Sequence, residues 1–276
     1  MLRLGLIVAL VVALGFLGDM NLWRFGGRYM LRDSDHADIM TSGSSGTTTR
    51  TTTILFVGNS FTFINDLPAM LVNIAASDPG NPTQLAVKAV TYPDADLGFL
   101  LKQTDALTWA RAHRVDYVVL QDHSGWYAVP QWVARGRENA TAWKYALQRQ
   151  NAAPVLFESW ADGAGSAIYT NPTFYAYGQT PDQIAAEAMQ GTAALAGELG
   201  MPVVQVGRAF QRASKSDGMP DLYQADRHHP SIAGTYLAAL TFYRTFTSRA
   251  GTDAGYRPWG MSAADKAALV RAAAGG

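Results

Sequence analysis

Two short stretches, far apart in the chain, contain residue types that together could perform nucleophilic catalysis. In the first, "ILFVGNSFTF" (54–63), a run of four apolar residues ends shortly before Ser60. A serine hydroxyl becomes a useful nucleophile only when a base removes its proton, and that base needs an acid to orient it. The second stretch, "DLYQADRHHPSIAGTYLAAL" (221–240), offers both partners, since Asp226 and His229 are three residues apart.

The loop around Asp226 and His229 has a catalytic and a structural interpretation. The short spacing would let the carboxylate reach Nδ1 of the imidazole and leave the other ring nitrogen free to face Ser60. Equally, the aspartate could cap the last helix in a loop without chemistry. His228 is a competing base beside His229. Taken alone, the loop leaves both interpretations open.

Alternating apolar runs and helical patterns must position these residues. Short, apolar runs are typical of buried strands, and the segments between them have the spacing of amphipathic helices. The alternation predicts a three-layer α/β/α sandwich around a five-stranded, mostly parallel sheet, with its active site at the carboxyl ends of the strands. The predicted strands are 53–58, 84–92, 116–121, 153–160 and 201–207, and the helices between them are 67–78, 97–113, 131–150 and 181–200.

Composition excludes several classes of protein. The chain has 276 residues, of which 48% are hydrophobic and 16% charged, which is enough for a sizeable core and unlike a disordered chain. Lys plus Arg and Asp plus Glu number 22 each, and this balance argues against general nucleic-acid binding. There is no cysteine, so disulfides, thiolate metal sites and a cysteine nucleophile are excluded.

The N-terminus indicates export. After Arg3, the uncharged segment 4–18 has about the length of the apolar part of a signal peptide. We expect residues 1–23 to be a signal peptide or signal anchor, so that the protein is periplasmic, membrane-anchored or extracellular; a buried N-terminal helix is the alternative. Residues 24–52 end in the Gly/Ser/Thr-rich stretch "TSGSSGTTTRTT" and are predicted to be a linker. The domain is predicted to occupy 53–276, with a C-terminal helical tail.

The blocks "GNSFT" (58–62) and "DxxHPSxxGxYLAA" (226–239) resemble the SGNH, or GDSL-like, hydrolase superfamily. The resemblance covers about residues 53 to 250 and is specific at the two ends. It implies an SGNH-hydrolase, flavodoxin-like sheet with Ser60 as the nucleophile and Asp226 and His229 as the rest of the triad. His229 rather than His228 matches the family's base because it directly precedes Pro-Ser. Asn59 stands where the wider family commonly has Asp, which resembles a GNSFT-type subgroup.

The resemblance is weaker where the family completes its oxyanion hole. Beside the serine N–H, SGNH enzymes use a Gly after the second strand and an Asn after the third. Here Asp94 or Ala95 follows the second strand, and Gln121 or His123 follows the third. A backbone N–H, a glutamine amide or a neutral imidazole could each donate. Gln121 could equally be a strand-end residue tied to backbone.

Trp160 follows the fourth predicted strand, on the same rim as Ser60. It could stack on a sugar or acyl group of a substrate. The alternative is a large side chain that closes the edge of the sheet.

The sequence therefore predicts a serine esterase that hydrolyses an ester of a small acyl group, with a small-molecule ester or an acylated carbohydrate as substrate and no cofactor, metal or nucleic acid. One alternative is an O-acyltransferase acting on cell-surface polysaccharide, which would need the same triad. Another is a non-catalytic carbohydrate-binding module that has kept the fold. A third is a metal hydrolase built from Asp122, His123, Asp226, His228 and His229, although no common metal motif is present.

Overall fold

The computed structural model describes residues 39–42, 50–123 and 125–275 of the chain. The predicted signal segment, 1–23, and most of the predicted linker lie outside these residues. Within them, no helix is both long enough and apolar enough to cross a membrane.

A six-stranded sheet runs through the centre of the described residues, in the order β1-β3-β2-β4-β5-β6. Every neighbouring pair is parallel except β1 and β3, which run antiparallel with Met40 opposite Val87. The strands are β1 (Met40–Thr41), β2 (Arg50–Gly58), β3 (Thr83–Thr91), β4 (Tyr117–Leu120), β5 (Ala153–Phe157) and β6 (Val203–Val204).

Helices cover both faces of the sheet. The helices are α1 (Ser60–Phe63), α2 (Leu67–Ser77), α3 (Leu97–Gln103), α4 (Ala106–Ala112), α5 (Pro130–Leu147), α6 (Ala167–Thr170), α7 (Pro181–Leu199), α8 (Val206–Ser214), α9 (Ile232–Thr247) and α10 (Ala263–Ala274). Buried side chains of α2, α8, α9 and α10 share one core with Ile54 and Phe56 of β2. Those of α3, α4, α5 and α7 share the other core with Leu55 and Val57. Alternate residues of one strand thus face opposite layers, which explains why the strand reads as a continuous apolar run.

The start of α2 follows from the turn chemistry that precedes it. Asn65 and Asp66 both have positive φ, near 55°, a conformation that Asn and Asp tolerate better than most residues. The Asp66 side chain accepts a hydrogen bond from Ala69 N, and Pro68 lies in the first turn. Asp66 is therefore the N-cap of α2.

The fold class predicted from the sequence is confirmed, but three details are corrected. The sheet has six described strands rather than five, because β1 adds an antiparallel edge. The domain begins before residue 53, since Arg50 already belongs to β2 and the buried Ser42 Oγ accepts a hydrogen bond from Leu85 N. Thus parts of the predicted linker 24–52 belong to the sheet: β-branched threonines suit a strand even without apolar content.

The third correction concerns the predicted strand 201–207, of which only Val203–Val204 is a strand. Helix α8 begins at Val206 because the buried Glu158 holds its first turn. The Glu158 carboxylate accepts from Arg208 N, and its backbone oxygen accepts from Gly207 N. The apolar run therefore spans a strand end and a helix start, and its hydrophobicity alone does not separate them.

Candidate active site

Ser60 is the first residue of the short helix α1, directly beyond the carboxyl end of β2. Asn59 caps this helix. Its Oδ1 accepts from Phe61 N at 3.2 Å, and its backbone oxygen accepts from Thr62 N and Phe63 N. The strand-to-helix turn thereby places the Ser60 side chain, half-buried, at the edge of the sheet.

Gly58 is required by how closely the chain packs at this turn. A Cβ at this position would lie 2.5 Å from both Gln121 Oε1 and Thr62 Oγ1, which is well inside van der Waals contact. The glycine of the GNSFT block therefore lets β2 approach the end of β4.

The structure brings the three predicted triad residues together. Ser60 Oγ lies 3.1 Å from His229 Nε2, and His229 Nδ1 lies 2.7 Å from Asp226 Oδ2. The nucleophile, base and acid are thus connected in the order that proton transfer requires, although they come from positions up to 169 residues apart.

A tight loop holds the acid and the base. Asp226 Oδ1 accepts from the backbone N–H groups of His228 and His229, at 3.0 Å each. The positive φ of Arg227, 59°, bends the chain between them. On the far side, Asn65 Nδ2 donates to Pro230 O at 2.9 Å. The loop is therefore fixed both internally and to the segment that follows Ser60.

The charges in the loop favour a neutral base beside an ionised acid. Desolvation lowers the pKa of His229 below its ordinary value; the hydrogen bond that Nδ1 donates to Asp226 opposes this, and the charge of His228 adds to it. Desolvation also pushes the pKa of Asp226 upward, but hydrogen bonds from the His229 side chain and from two backbone N–H groups outweigh it and hold that pKa low. An unprotonated imidazole can accept the Ser60 proton.

The backbone N–H of Ser60 is a candidate oxyanion donor. The first N–H groups of a helix have no partner within the helix. In α1, Asn59 binds those of Phe61, Thr62 and Phe63. Among the described residues, no acceptor binds the N–H of Ser60 itself. One donor is therefore available beside the nucleophile.

The loop after β3 packs directly on the serine turn. Asn59 Nδ2 donates to Ala95 O at 3.0 Å, and Tyr92 N donates to Gly58 O at 3.1 Å. Ala95 N makes a long contact of 3.4 Å with Tyr92 O, within its own turn. The loop therefore contacts the residues on the N-terminal side of Ser60, and the role predicted for Ala95 as an oxyanion donor stays a prediction.

Gln121 is wrong as a predicted substrate-binding donor. Its side chain is fully buried, and its Oε1 accepts from Asn59 N at 2.7 Å and from Thr62 Oγ1 at 3.0 Å. Its Nε2 donates to Asp122 O. Both polar atoms of this amide are hydrogen-bonded within the protein. Gln121 is therefore a residue at the end of a strand that binds neighbouring backbone, which was the alternative interpretation.

His123 lies at the outer rim and pairs with Asp94. Its Nε2 lies 2.8 Å from Asp94 Oδ1, which joins the loop after β4 to the loop after β3. The role predicted for His123 as an oxyanion donor stays a prediction.

Trp160 is wrong as a predicted surface for stacking on substrate. Its ring is only 2% exposed and lies between Phe61, at 4.2 Å, and Phe210, at 4.4 Å between ring centroids. Its Nε1 donates to His228 O at 3.1 Å. The indole therefore closes the edge of the sheet, which was the alternative interpretation of Trp160. It packs on Phe61, next to Ser60, and binds the loop that carries His229.

Sequence reasoning missed one pair of residues at the site. His228 Nδ1 lies 2.8 Å from Asp162 Oδ1, a residue 66 positions earlier. The histidine was visible as a competing base, but nothing in the spacing pointed to its partner. Among the described residues, no group of three or more His, Asp or Glu side chains is arranged to hold a metal ion.

Comparison with known proteins gives the fold a name. No protein-family model and no curated protein sequence matches the chain. Among solved structures, a predicted SGNH hydrolase from Slackia heliotrinireducens is 27% identical, with a TM-score of 0.58, over 71% of this chain and 99% of that one. The fold is that of the SGNH hydrolases. This match supports the superfamily resemblance and a hydrolase.

Two further solved structures match this chain at lower identity. A DUF4886 family protein from Bacteroides uniformis has a TM-score of 0.67 at 17% identity, over 81% of this chain and 93% of that one. A lipase/acylhydrolase from Enterococcus faecalis has a TM-score of 0.53 at 19% identity, over 72% and 96%. At these identities the likeness concerns the fold.

Proposed function

We propose that this chain is a serine esterase of the GNSFT-type SGNH subgroup, which hydrolyses an ester of a small acyl group through Ser60, His229 and Asp226. The observation that carries the proposal is the pair of contacts at His229, 3.1 Å from Nε2 to Ser60 Oγ and 2.7 Å from Nδ1 to Asp226 Oδ2. The SGNH fold of the neighbours is consistent with this chemistry.

In the proposed reaction, Ser60 Oγ attacks the ester carbonyl while His229 Nε2 takes the hydroxyl proton. Asp226 holds the ring in the tautomer that presents Nε2 and stabilises the imidazolium. The N–H of Ser60 donates to the developing oxyanion. His229 then gives its proton to the alcohol oxygen as the ester bond breaks. A water molecule, activated by the same histidine, releases the acyl group as a carboxylic acid.

Exposure of the site supports hydrolysis. The side chains of His229 and Asp226 are 26% and 44% exposed, so water can reach the acyl-enzyme. We therefore propose water as the acceptor, with a small-molecule ester or an acylated carbohydrate as substrate. The acceptor can be identified by adding a sugar to the assay and measuring how much of the acyl group is released as free acid and how much is transferred to the sugar. A dominant acylated sugar product would favour the O-acyltransferase instead.

The experiment that tests the function combines labelling with turnover. Purified full-length protein is treated with a serine-directed fluorophosphonate and digested, and the labelled peptide is identified by mass spectrometry. In parallel, 4-nitrophenyl esters from acetate to decanoate are assayed with and without EDTA. We expect label on Ser60, fastest turnover of the shortest esters, and no effect of the chelator.

Each contrary result points to a different alternative. Turnover without any labelled serine, or turnover lost with EDTA, would support the metal hydrolase. Binding of acetylated glycans without turnover or label would support the carbohydrate-binding module. Labelling of a serine other than Ser60 would overturn the proposed nucleophile.

We also propose that the protein is exported and that residues 1–23 attach or target it to the membrane. The apolar segment 4–18 supports this. Alkaline phosphatase fused after the domain should be active, since that enzyme needs an oxidising compartment. An inactive fusion, alongside an active cytoplasmic β-galactosidase fusion, would contradict export.

A further inference from the structure

A second His–Asp pair lies beside the triad. Asp162 is buried, in the loop after β5, and its Oδ1 binds His228 Nδ1 at 2.8 Å. Its Oδ2 accepts from Ser166 Oγ at 2.7 Å. Hydrogen bonding to Asp162 fixes the His228 ring in the tautomer that carries a proton on Nδ1.

The second pair is held tightly against the first. The His228 ring lies 4.7 Å from the His229 ring, nearly perpendicular to it, and 4.9 Å from the Phe61 ring. Its backbone is fixed at both ends, because His228 N donates to Asp226 Oδ1 and His228 O accepts from Trp160 Nε1. The two imidazoles therefore sense each other's charge at short range.

The two members of the pair act on the catalytic base in opposite directions. The charge of Asp162 raises the pKa of His229, and the charge of His228 lowers it. Burial lowers the pKa of His228 itself, but its hydrogen bond to Asp162 and that residue's charge outweigh this and raise it above the ordinary value. A protonated His228 therefore opposes the effect of the buried carboxylate on the pKa of His229.

We infer that His228 is a positioning residue of the triad, whose pairing with Asp162 keeps that carboxylate from drawing a proton onto His229. The inference rests on the proposed esterase function, because the effect is read through the Ser60–His229 reaction. The acid of the triad, Asp226, also bonds to the base, and the ion pair of Arg227 and Asp221 lies in the same loop. Asp94, which pairs with His123 at the rim, raises the pKa of His228.

The test compares pH profiles of three variants with wild type. The variant His228→Gln leaves Asp162 without its cation, and the double variant Asp162→Asn/His228→Gln removes both charges. His113→Gln, at the end of α4 where the ring stacks on Trp109, is the matched control. The measured quantity is the midpoint of the acid limb of kcat/KM for 4-nitrophenyl acetate between pH 4.5 and 9.

The expected results follow from the opposite effects of Asp162 and His228 on the pKa of His229. In His228→Gln, the unpaired Asp162 charge raises the pKa of His229, so the midpoint moves to higher pH by about one unit, as expected for one charge several ångströms away. In the double variant the midpoint returns to within about a third of a unit of wild type, because no charge remains to act on the base. The control does not move.

Two results would overturn the inference. One is a His228→Gln profile that falls uniformly with an unmoved midpoint, since a residue that only fixes the loop would behave in this way. The other is a double variant that keeps the shifted midpoint, because the shift would then come from the broken loop contact and not from the charge of Asp162.

A measurement on the wild-type chain keeps the inference testable if His228→Gln fails to fold. Titration of the histidine side chains by ¹⁵N NMR should show His228 losing its proton at higher pH than His229, and the reverse order would overturn the inference. This readout does not depend on turnover. Retained hydrolysis in Ser60→Ala, by contrast, would remove the proposed function while leaving the titration order intact.

Discussion

The triad residues, at the end of β2 and in the loop that carries Asp226 and His229, are more exposed to solvent than the two polar residues that directly follow β4. Ser60 and His229 are partly exposed, and the N–H of Ser60 has no acceptor among the described residues. Gln121 and Asp122 lie at the same edge of the sheet, yet they are 0% and 3% exposed and their side chains bind other parts of the protein.

This difference shows that a polar residue at the carboxyl edge of a parallel sheet can serve chemistry or scaffolding. Gln121 holds Asn59 N, and Asp122 Oδ1 accepts from Leu97 N at 3.1 Å and from His123 N at 2.9 Å. These contacts shape the turns that carry the reactive groups. Variants in the first region, around Ser60 and His229, should lower activity without changing the free energy of unfolding. Variants in the second region, at Gln121 and Asp122, should mainly change the free energy of unfolding.

The largest expected effect is that of Ser60→Ala. Ester hydrolysis should fall at least about a thousandfold, because within the part of the chain that the structure describes Ser60 is the nucleophile bonded to His229. The free energy of unfolding should change by less than about 0.5 kcal/mol, since the hydroxyl is partly exposed. The measurement is kcat/KM together with urea unfolding, and Ser216→Ala, an exposed serine at the end of α8, is the control. Activity above a tenth of wild type would place the nucleophile elsewhere.

Asp226→Asn should follow, with a loss of about a hundred- to ten-thousandfold in kcat, because the amide favours the wrong tautomer of His229. The loop should keep its conformation, since Oδ1 of the asparagine can still accept from His228 N and His229 N. Circular dichroism checks the fold and steady-state kinetics check the activity.

A matched control for this variant is Asp221→Asn, in the same loop, where the carboxylate pairs with Arg227 at the surface. We expect it to change kcat less than about threefold, as a surface ion pair contributes little. Equal losses in the two variants would mean that the loop, and not the acid of the triad, controls the reaction.

Gln121→Leu should have a mixed effect that is typical of the second region. It leaves the buried Asn59 N and Thr62 Oγ1 without their acceptor, which should cost about 2–3 kcal/mol of unfolding free energy. Activity should fall about tenfold, because the turn that orients Ser60 loosens. Urea unfolding measures the first effect, with the exposed Gln148→Leu as control. Full stability with abolished turnover would instead restore Gln121 as a substrate-binding donor.

Asp122→Asn should leave activity nearly unchanged and alter how stability depends on pH. Burial raises the pKa of Asp122 from 3.8 to about 6. Between these values the unfolded chain releases the proton while the folded chain keeps it, so the stability due to this group falls as pH rises from about 4 to about 6. The asparagine has no proton to lose, and its oxygen can still accept from Leu97 N and His123 N.

The unfolding free energy of Asp122→Asn relative to wild type should therefore increase by about 3 kcal/mol between pH 4 and pH 6, and then stay constant. The difference between the two proteins is the quantity to measure, because Asp226 and Asp78 have lowered pKa values and act in the opposite sense. A difference that does not vary with pH would show that Asp122 is ionised without penalty.

The sequence by itself determined the alternation of parallel strands and helices along the chain, and it predicted that Ser60, Asp226 and His229 would act together as a triad. Apolar runs and helical spacing are local patterns, and each reports burial directly. The triad could be predicted because its residues lie in two short blocks of sequence. A strand-to-helix turn fixes the spacing within the first block, and a tight loop fixes it within the second. The resemblance to SGNH hydrolases added the choice of His229 over His228.

Only the tertiary structure decided how the other polar and aromatic residues at the sheet edge are used. Gln121 contacts Asn59 across 62 positions, Trp160 contacts His228 across 68, and His228 meets Asp162 across 66. The strand β1 likewise exists only because β3 offers it an edge. Such pairings depend on which elements the sheet brings side by side. The physical reason is that a buried donor or acceptor must find a partner wherever the fold supplies one, and no local pattern records which partner that is.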